Sequence, residues 1–138
     1  MSVGLLLISH EHVASGLLAA ARSICGEYSG GIEEIEISHD AKPKNVVNEI
    51  EHKIKLLDNG AGVLILSDLY GSTPSNIATQ FYNPGKVSVV LGVSLPMLIR
   101  VFNYPKDNLK KVTDKAIAGG RDGIFAYPPQ IKEDGHAK

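Results

Sequence analysis

Gly62-Val63-Leu64-Ile65-Leu66-Ser67-Asp68-Leu69-Tyr70-Gly71-Ser72-Thr73-Pro74 is the stretch that decides the fold. Its apolar half has strand length and no polar alternation, as expected of a parallel strand buried on both faces. It ends on an aspartate, and a small polar cluster then leads into a helix start. A matching run, Val3 to Ser9, ends on His10. If the two strands are parallel neighbours, an imidazole and a carboxylate meet in the crevice beyond their carboxyl ends, where open α/β sheets bind ligands.

Working outward, strand and helix patterns alternate along nearly the whole chain, which is the signature of an α/β fold with a mostly parallel sheet covered on both faces. Val13, Leu17, Ala21 and Ile24 mark a first helix, with Cys25 on its apolar face. Gly30-Gly31 closes that unit, and Ile32 to Ile37 alternates with Glu34 and Glu36, which suits an edge strand. Pro43 opens a helix carrying Val46, Ile50, Ile54 and Leu57 and closed by Asp58-Asn59-Gly60. Thr73 and Pro74 read as N-cap and N1 of a short helix with Ile77, Ala78 and Phe81, stopped by Asn83-Pro84-Gly85. Lys86 to Gly92 is the fourth strand and Pro96 to Phe102 another helix. Leu109, Val112, Ala116 and Ile117 mark the last helix, with Gly119-Gly120 at its end, and Gly123 to Tyr127 adds a short final strand. Residues 128–138 are polar and aperiodic, a disordered tail or linker remnant after a domain spanning 1–127.

Composition narrows the function. The 138 residues suit one domain, and 43% hydrophobic residues supply a core. Fourteen Lys and Arg against fifteen Asp and Glu leave a net charge of −1, so no basic nucleic-acid footprint is visible. No apolar run has the length of a membrane span, and the N-terminal residues show no secretory signal pattern. These features place the protein in the cytoplasm without membrane insertion. A single cysteine excludes an internal disulfide.

A nucleophilic histidine needs one unprotonated ring nitrogen, and an aspartate bonded to the other fixes that tautomer. His10 and Asp68 suit these roles, although a strand-end histidine also serves as a turn residue and an aspartate as an Asx turn. Gly71, Ser72 and Thr73 form a capped helix start whose N–H groups and hydroxyls also suit an anion. Neither GxxxxGK[ST] nor GxGxxG occurs, so a nucleotide loop is unsupported. His10, His12 and Asp68 together raise a metal-dependent hydrolase as a minor alternative. His39, His52 and His136 read as surface residues, His39 alone lying near a strand end, while Tyr70 and Arg100 are candidates for lining the site or an interface.

Four segments in order resemble the enzyme IIA component of the mannose family of the bacterial phosphoenolpyruvate:sugar phosphotransferase system. They are the strand ending Ser9-His10, the stretch Gly62 to Asn76, Gly92 to Leu98, and Gly119-Gly120-Arg121-Asp122-Gly123. The resemblance implies a doubly wound three-layer α/β sandwich, with Ile124 to Tyr127 as a C-terminal strand exchanged in a homodimer. It implies that His10 accepts a phosphoryl group from the histidine-containing phosphocarrier protein, that Asp68 is its hydrogen-bonding partner, and that Gly71, Ser72 and Thr73 line the phosphoryl site. Neither metal nor other cofactor is called for. The next acceptor is a IIB component in sugar uptake, or, in relatives without a sugar permease, a regulatory partner that reads the phosphorylation state. No IIB domain is visible in the chain, which reads as a free subunit or an excised domain.

Overall fold

Strand side chains alternate between faces, and in the computed structural model this alternation sorts the core into two halves. Residues 1–129 are described. The elements are β1 Gly4–His10, α1 Val13–Cys25, β2 Ile32–Ile37, α2 Pro43–Leu57, β3 Val63–Ser67, α3 Thr73–Thr79, β4 Val87–Leu91, α4 Leu95–Phe102 and α5 Leu109–Asp122. Leu5, Leu7, Leu64 and Leu66 point to the face covered by α1, α4 and α5. Leu6, Ile8, Val63 and Ile65 point to the face covered by α2 and α3. Three layers result, and the central strands are buried on both sides.

The sheet is parallel throughout, in the order β2-β1-β3-β4. β2 is indeed an edge strand, and β1 and β3 are neighbours. The chain runs from β1 outward to β2 and then back past β1 to β3, so the winding direction reverses between β1 and β3. Crevices in doubly wound sheets open at such reversals.

Several local expectations are corrected. In α1 the buried positions are Ala14, Leu18 and Ala21, whereas Ile24 is 64% exposed. Leu17 and Leu18 stand side by side, so two helical registers fit the sequence, and packing on β1 selects the one that partly buries Cys25. The N-cap of α3 is Ser72, which makes Thr73 the first helical residue, and the helix gives way at Gln80, before Phe81.

α5 runs straight through Gly119-Gly120 to Asp122. A Cβ on Gly119 would sit 2.6 Å from the Arg100 Cβ, one on Gly120 3.0 Å from the Met97 Cε, and one on Gly123 2.5 Å from the Pro96 Cβ. These glycines let α5 lie against α4; close packing, rather than helix termination, accounts for the first two. Ile117, expected in the buried stripe, is 37% exposed.

Gly123 to Tyr127 forms no strand among the described residues. A strand needs a partner edge for its N–H and C=O groups, and here the segment leaves α5 with Ile124 80%, Phe125 53% and Tyr127 92% exposed. Of the tail expected at 128–138, residues 130–138 lie outside the described residues.

Candidate functional site

The residue that ends β1 and the residue that follows β3 lie side by side because β1 and β3 pair from Gly4↔Val63 to Ile8↔Ser67. Two fully buried serines tie down the strand ends. Ser9 Oγ donates to the His10 carbonyl at 2.7 Å and accepts from the Ala14 N–H at 2.9 Å, fastening the end of β1 to the first turn of α1. Ser67 Oγ donates to the Ile8 carbonyl at 2.6 Å, and the Ser67 carbonyl accepts from the N–H groups of Gly92 and Val93. The backbone under the site is therefore held by hydroxyls buried away from solvent.

His10 meets Asp68 twice. Its backbone N–H donates to Asp68 Oδ2 at 3.0 Å, and its Nδ1 lies 2.7 Å from the same oxygen. With Asp68 ionised, that second bond requires the proton on Nδ1 and leaves the lone pair on Nε2. Burial by itself would push the Asp68 carboxyl up, but the hydrogen bonds from the His10 N–H and ring outweigh it and hold the group below the usual carboxylate range. The His10 side chain is 48% exposed while that of Asp68 is 11% exposed. An accessible ring nitrogen is thus backed by a sheltered carboxylate, whose other oxygen, Oδ1, is buried with no hydrogen-bond partner among the described residues.

A cavity of about 190 Å³ opens beside His10, with Thr73 and Pro74 on one wall and Ser38 and His39 on another. Gly71 and Ser72 do not line it. Gly71 makes the turn into α3 with a φ of 83°, a conformation that suits glycine. Ser72 is engaged locally: its Oγ donates to the Leu69 carbonyl at 2.6 Å, and its N–H donates to Ser75 Oγ at 3.2 Å, half of a capping box. Among the described residues no intrachain hydrogen bond takes the N–H of Gly71 or Thr73.

Other candidates fall elsewhere. His12 caps α1 in a left-handed conformation, φ 72°, with a side chain 90% exposed and 4.0 Å from Glu11. Among the described residues no three His, Cys, Asp or Glu side chains gather to hold a metal ion, so the hydrolase alternative gains nothing from the geometry. Arg100 pairs with Asp122 on α5 at 3.3 Å, and Tyr70 stands 82% exposed in the loop after Asp68. A larger groove, about 550 Å³, follows β4 and contains neither His10 nor Asp68. Among the described residues no helix is long and apolar enough to cross a membrane.

His39, read from the sequence as a surface residue near a strand end, is exposed and also lines this cavity. The signal was its place two residues beyond β2; what the sequence lacked was the strand order that sets β2 directly beside β1.

Comparison with known proteins gives a consistent outcome. The family model for EIIA-man, "PTS system fructose IIA component", matches residues 4–117. The PTS system mannose-specific EIIAB component of Escherichia coli strain K12 is 25% identical over 129 residues, which is 91% of this chain and 40% of that protein. The chain therefore spans about 40% of the length of that curated relative. Among solved structures, the mannose/sorbose specific IIA subunit from Enterococcus faecalis superposes with a TM-score of 0.80 at 24% identity, covering 96% of this chain and 100% of that one. The PTS IIA protein associated with the fucose utilization operon of Streptococcus pneumoniae gives 0.74 at 26% identity, over 91% and 96%.

Proposed function

Because the chain belongs to the mannose family of phosphotransferase-system IIA components, we propose that its domain, residues 1–127, is a phosphoryl carrier that accepts phosphate on His10 Nε2 from the histidine-containing phosphocarrier protein and hands it to a IIB component for sugar uptake. The observation that carries this reading is the 2.7 Å bond from His10 Nδ1 to Asp68, which leaves Nε2 as the free nucleophile.

The transfer balances without a proton moving. The Nε2 lone pair forms the new P–N bond, and the donor's P–N bond breaks with its electron pair returning to the donor imidazole. The His10 ring keeps its Nδ1 proton and gains positive character, which the Asp68 carboxylate stabilises at contact distance. Onward transfer is the reverse, with the IIB nucleophile as acceptor. The name of the E. coli relative, an EIIAB component, supports a IIB acceptor. Thr73 beside the cavity and the N–H groups of Gly71 and Thr73 are the groups we assign to the phosphoryl oxygens, with Ser72 shaping the loop. No metal or other cofactor enters this scheme, and we place the protein in the cytoplasm, where its donor and acceptor meet.

We also assign the carrier to a homodimer. Beyond an antiparallel bridge from Val87 to Asn83, the outer edge of β4 pairs with no strand among the described residues, its groove is walled by Val89, Leu91, Met97 and Ile124, and the apolar Ile124, Phe125 and Tyr127 are exposed. A strand from the partner's 124–127 would satisfy both needs. Light scattering on the full chain and on a truncation after Arg121 tests this: a dimer lost on truncation supports exchange, and a full-length monomer at high concentration refutes it.

The carrier assignment is tested with phosphoenolpyruvate, enzyme I and the phosphocarrier protein, read by intact mass. One acid-labile phosphoryl group per chain is expected. Labelling that persists undiminished when His10 is replaced by Ala sinks the assignment, and a phosphoryl group that no IIB protein accepts but that changes binding to a regulator shifts it to the signalling role.

A further inference from the structure

We propose that His39 is a second imidazole of this site, one that faces the phosphoryl group on His10 across their shared cavity and donates a hydrogen bond to its oxygens. The inference rests on the carrier reading above.

Topology supplies the first argument. In the β1–β2 register His10 stands opposite Ile37, so His39, two residues further, occupies the same carboxyl edge. His10 is thereby flanked on the β3 side by Asp68 and on the β2 side by His39. The cavity supplies the second. His10 and His39 both line its roughly 190 Å³, whose remaining walls include the apolar Ile37, Pro74 and Ile77.

The third argument is charge. A phosphoryl group brings about −1.5 to −2 charges to a site that already holds an ionised Asp68. Yet among the described residues no lysine, arginine, aspartate or glutamate lines the cavity, and α2 and α3 present no titratable side chain to it. In its own loop His39 is accompanied by Asp40, engaged by Ser38 Oγ at 2.7 Å, and by the exposed Lys42, and across the cavity stands His10 on β1. Among the described residues His39 is the one lining side chain besides His10 that carries a positive charge when protonated. Apolar walls make a donor there count for more than in open water. His39 is exposed and has no intrachain hydrogen bond among the described residues, so engaging the phosphoryl group breaks nothing in the fold.

The test compares wild type with His39→Leu and His39→Gln, each phosphorylated through enzyme I and the phosphocarrier protein. The readout is the equilibrium division of phosphoryl groups between phosphocarrier and carrier, followed across pH, alongside melting of the unphosphorylated proteins. His39→Leu is expected to move the equilibrium back toward the phosphocarrier by about tenfold, the size of one charge-assisted hydrogen bond, and to flatten its pH dependence. His39→Gln, which keeps a donor, should recover part of the shift, with melting of all three alike. Imidazole nitrogen resonances of His39 in wild type should also move on phosphorylation, which keeps the test valid if a variant folds poorly. An unchanged equilibrium in His39→Leu, or His39 resonances blind to phosphorylation, overturns the inference while leaving the carrier intact. A wild-type chain that takes no phosphoryl group on His10 overturns the carrier reading itself.

Discussion

At the carboxyl edge of the sheet, a half-exposed histidine and a sheltered aspartate meet 2.7 Å apart over two buried serines. At the seam between α4 and α5, three glycines bring one helix against Arg100, Met97 and Pro96 so closely that a methyl group on any of them meets a neighbouring atom at 3.0 Å or less. The edge is assembled from side chains that face solvent on a backbone fixed from below. The seam is assembled from the absence of side chains. If the edge is the phosphoryl site proposed above, chemistry and stability are separable in this molecule: truncating an edge side chain should remove function and leave the fold, and enlarging a seam residue should do the reverse.

The sharpest way to break this contrast is His10→Ala. Phosphoryl incorporation should fall to nothing by intact mass. The ring is 48% exposed and the His10 backbone N–H still donates to Asp68, so the change in unfolding free energy should stay below about 1 kcal/mol. A variant that fails to fold would show that the pair at the edge is structural after all.

The seam gives the reciprocal result. Gly119→Val places a branched Cβ where 2.6 Å already separates an ideal Cβ from that of Arg100, with the Pro96 carbonyl at 3.2 Å. Overpacking of this kind costs roughly 1 to 3 kcal/mol, measurable as a lower urea midpoint. Transfer per folded molecule should equal that of wild type, since the contacts at His10 and Asp68 are untouched.

The same contrast explains what was legible in the sequence. His10 and Asp68 were readable because each ends an apolar run, and parallel strands deliver their ends to one edge whatever the details between. β2 was readable as an edge strand from Glu34 and Glu36. The glycines of the seam were misread because Gly119-Gly120 looks the same whether it ends a helix or admits a neighbouring one, and only the position of α4 decides. Ile24 and Ile117 were misplaced for a related reason: helical spacing defines a stripe, but which of two adjacent apolar residues faces the core is set by the partner surface. Ile124 to Tyr127 was correctly seen as apolar, yet apolarity alone does not provide the edge that a strand requires.

Asp68→Asn sits between the two regimes. Asn keeps the shape and one acceptor oxygen but loses the charge that we propose stabilises a phosphorylated ring, so transfer should slow by about 10- to 100-fold, in line with other groups that orient a reactive histidine. Hydrogen bonds from His10 hold the Asp68 carboxyl below its ordinary range, so the folded state favours the ionised form. Its contribution is fully present above the ordinary carboxylate pKa of about 4 and is lost as pH falls through the lower folded value. The stability gap between wild type and Asp68→Asn should therefore be constant from neutrality to about pH 5 and close in more acid solution. A gap that closes on the alkaline side would contradict the assigned charge state.

The smallest effects lie in the loop after β3, where two adjacent hydroxyls separate the contrast within a single turn. Ser72 Oγ donates to the Leu69 carbonyl at 2.6 Å, and Ser72 is the N-cap of α3, so Ser72→Ala should cost about 1 kcal/mol of stability. Thr73 follows the cap and has no side-chain hydrogen bond among the described residues, yet it lines the cavity beside His10. Thr73→Ala should then leave melting within about 0.5 kcal/mol of wild type while slowing phosphoryl transfer severalfold through the loss of one hydroxyl partner. Melting curves and transfer rates on the two variants read the two effects independently. If Thr73→Ala destabilises the protein as much as Ser72→Ala and transfers at the wild-type rate, Thr73 belongs with the structural residues, and the phosphoryl oxygens must find their partners in the backbone N–H groups and on the β2 side of the cavity.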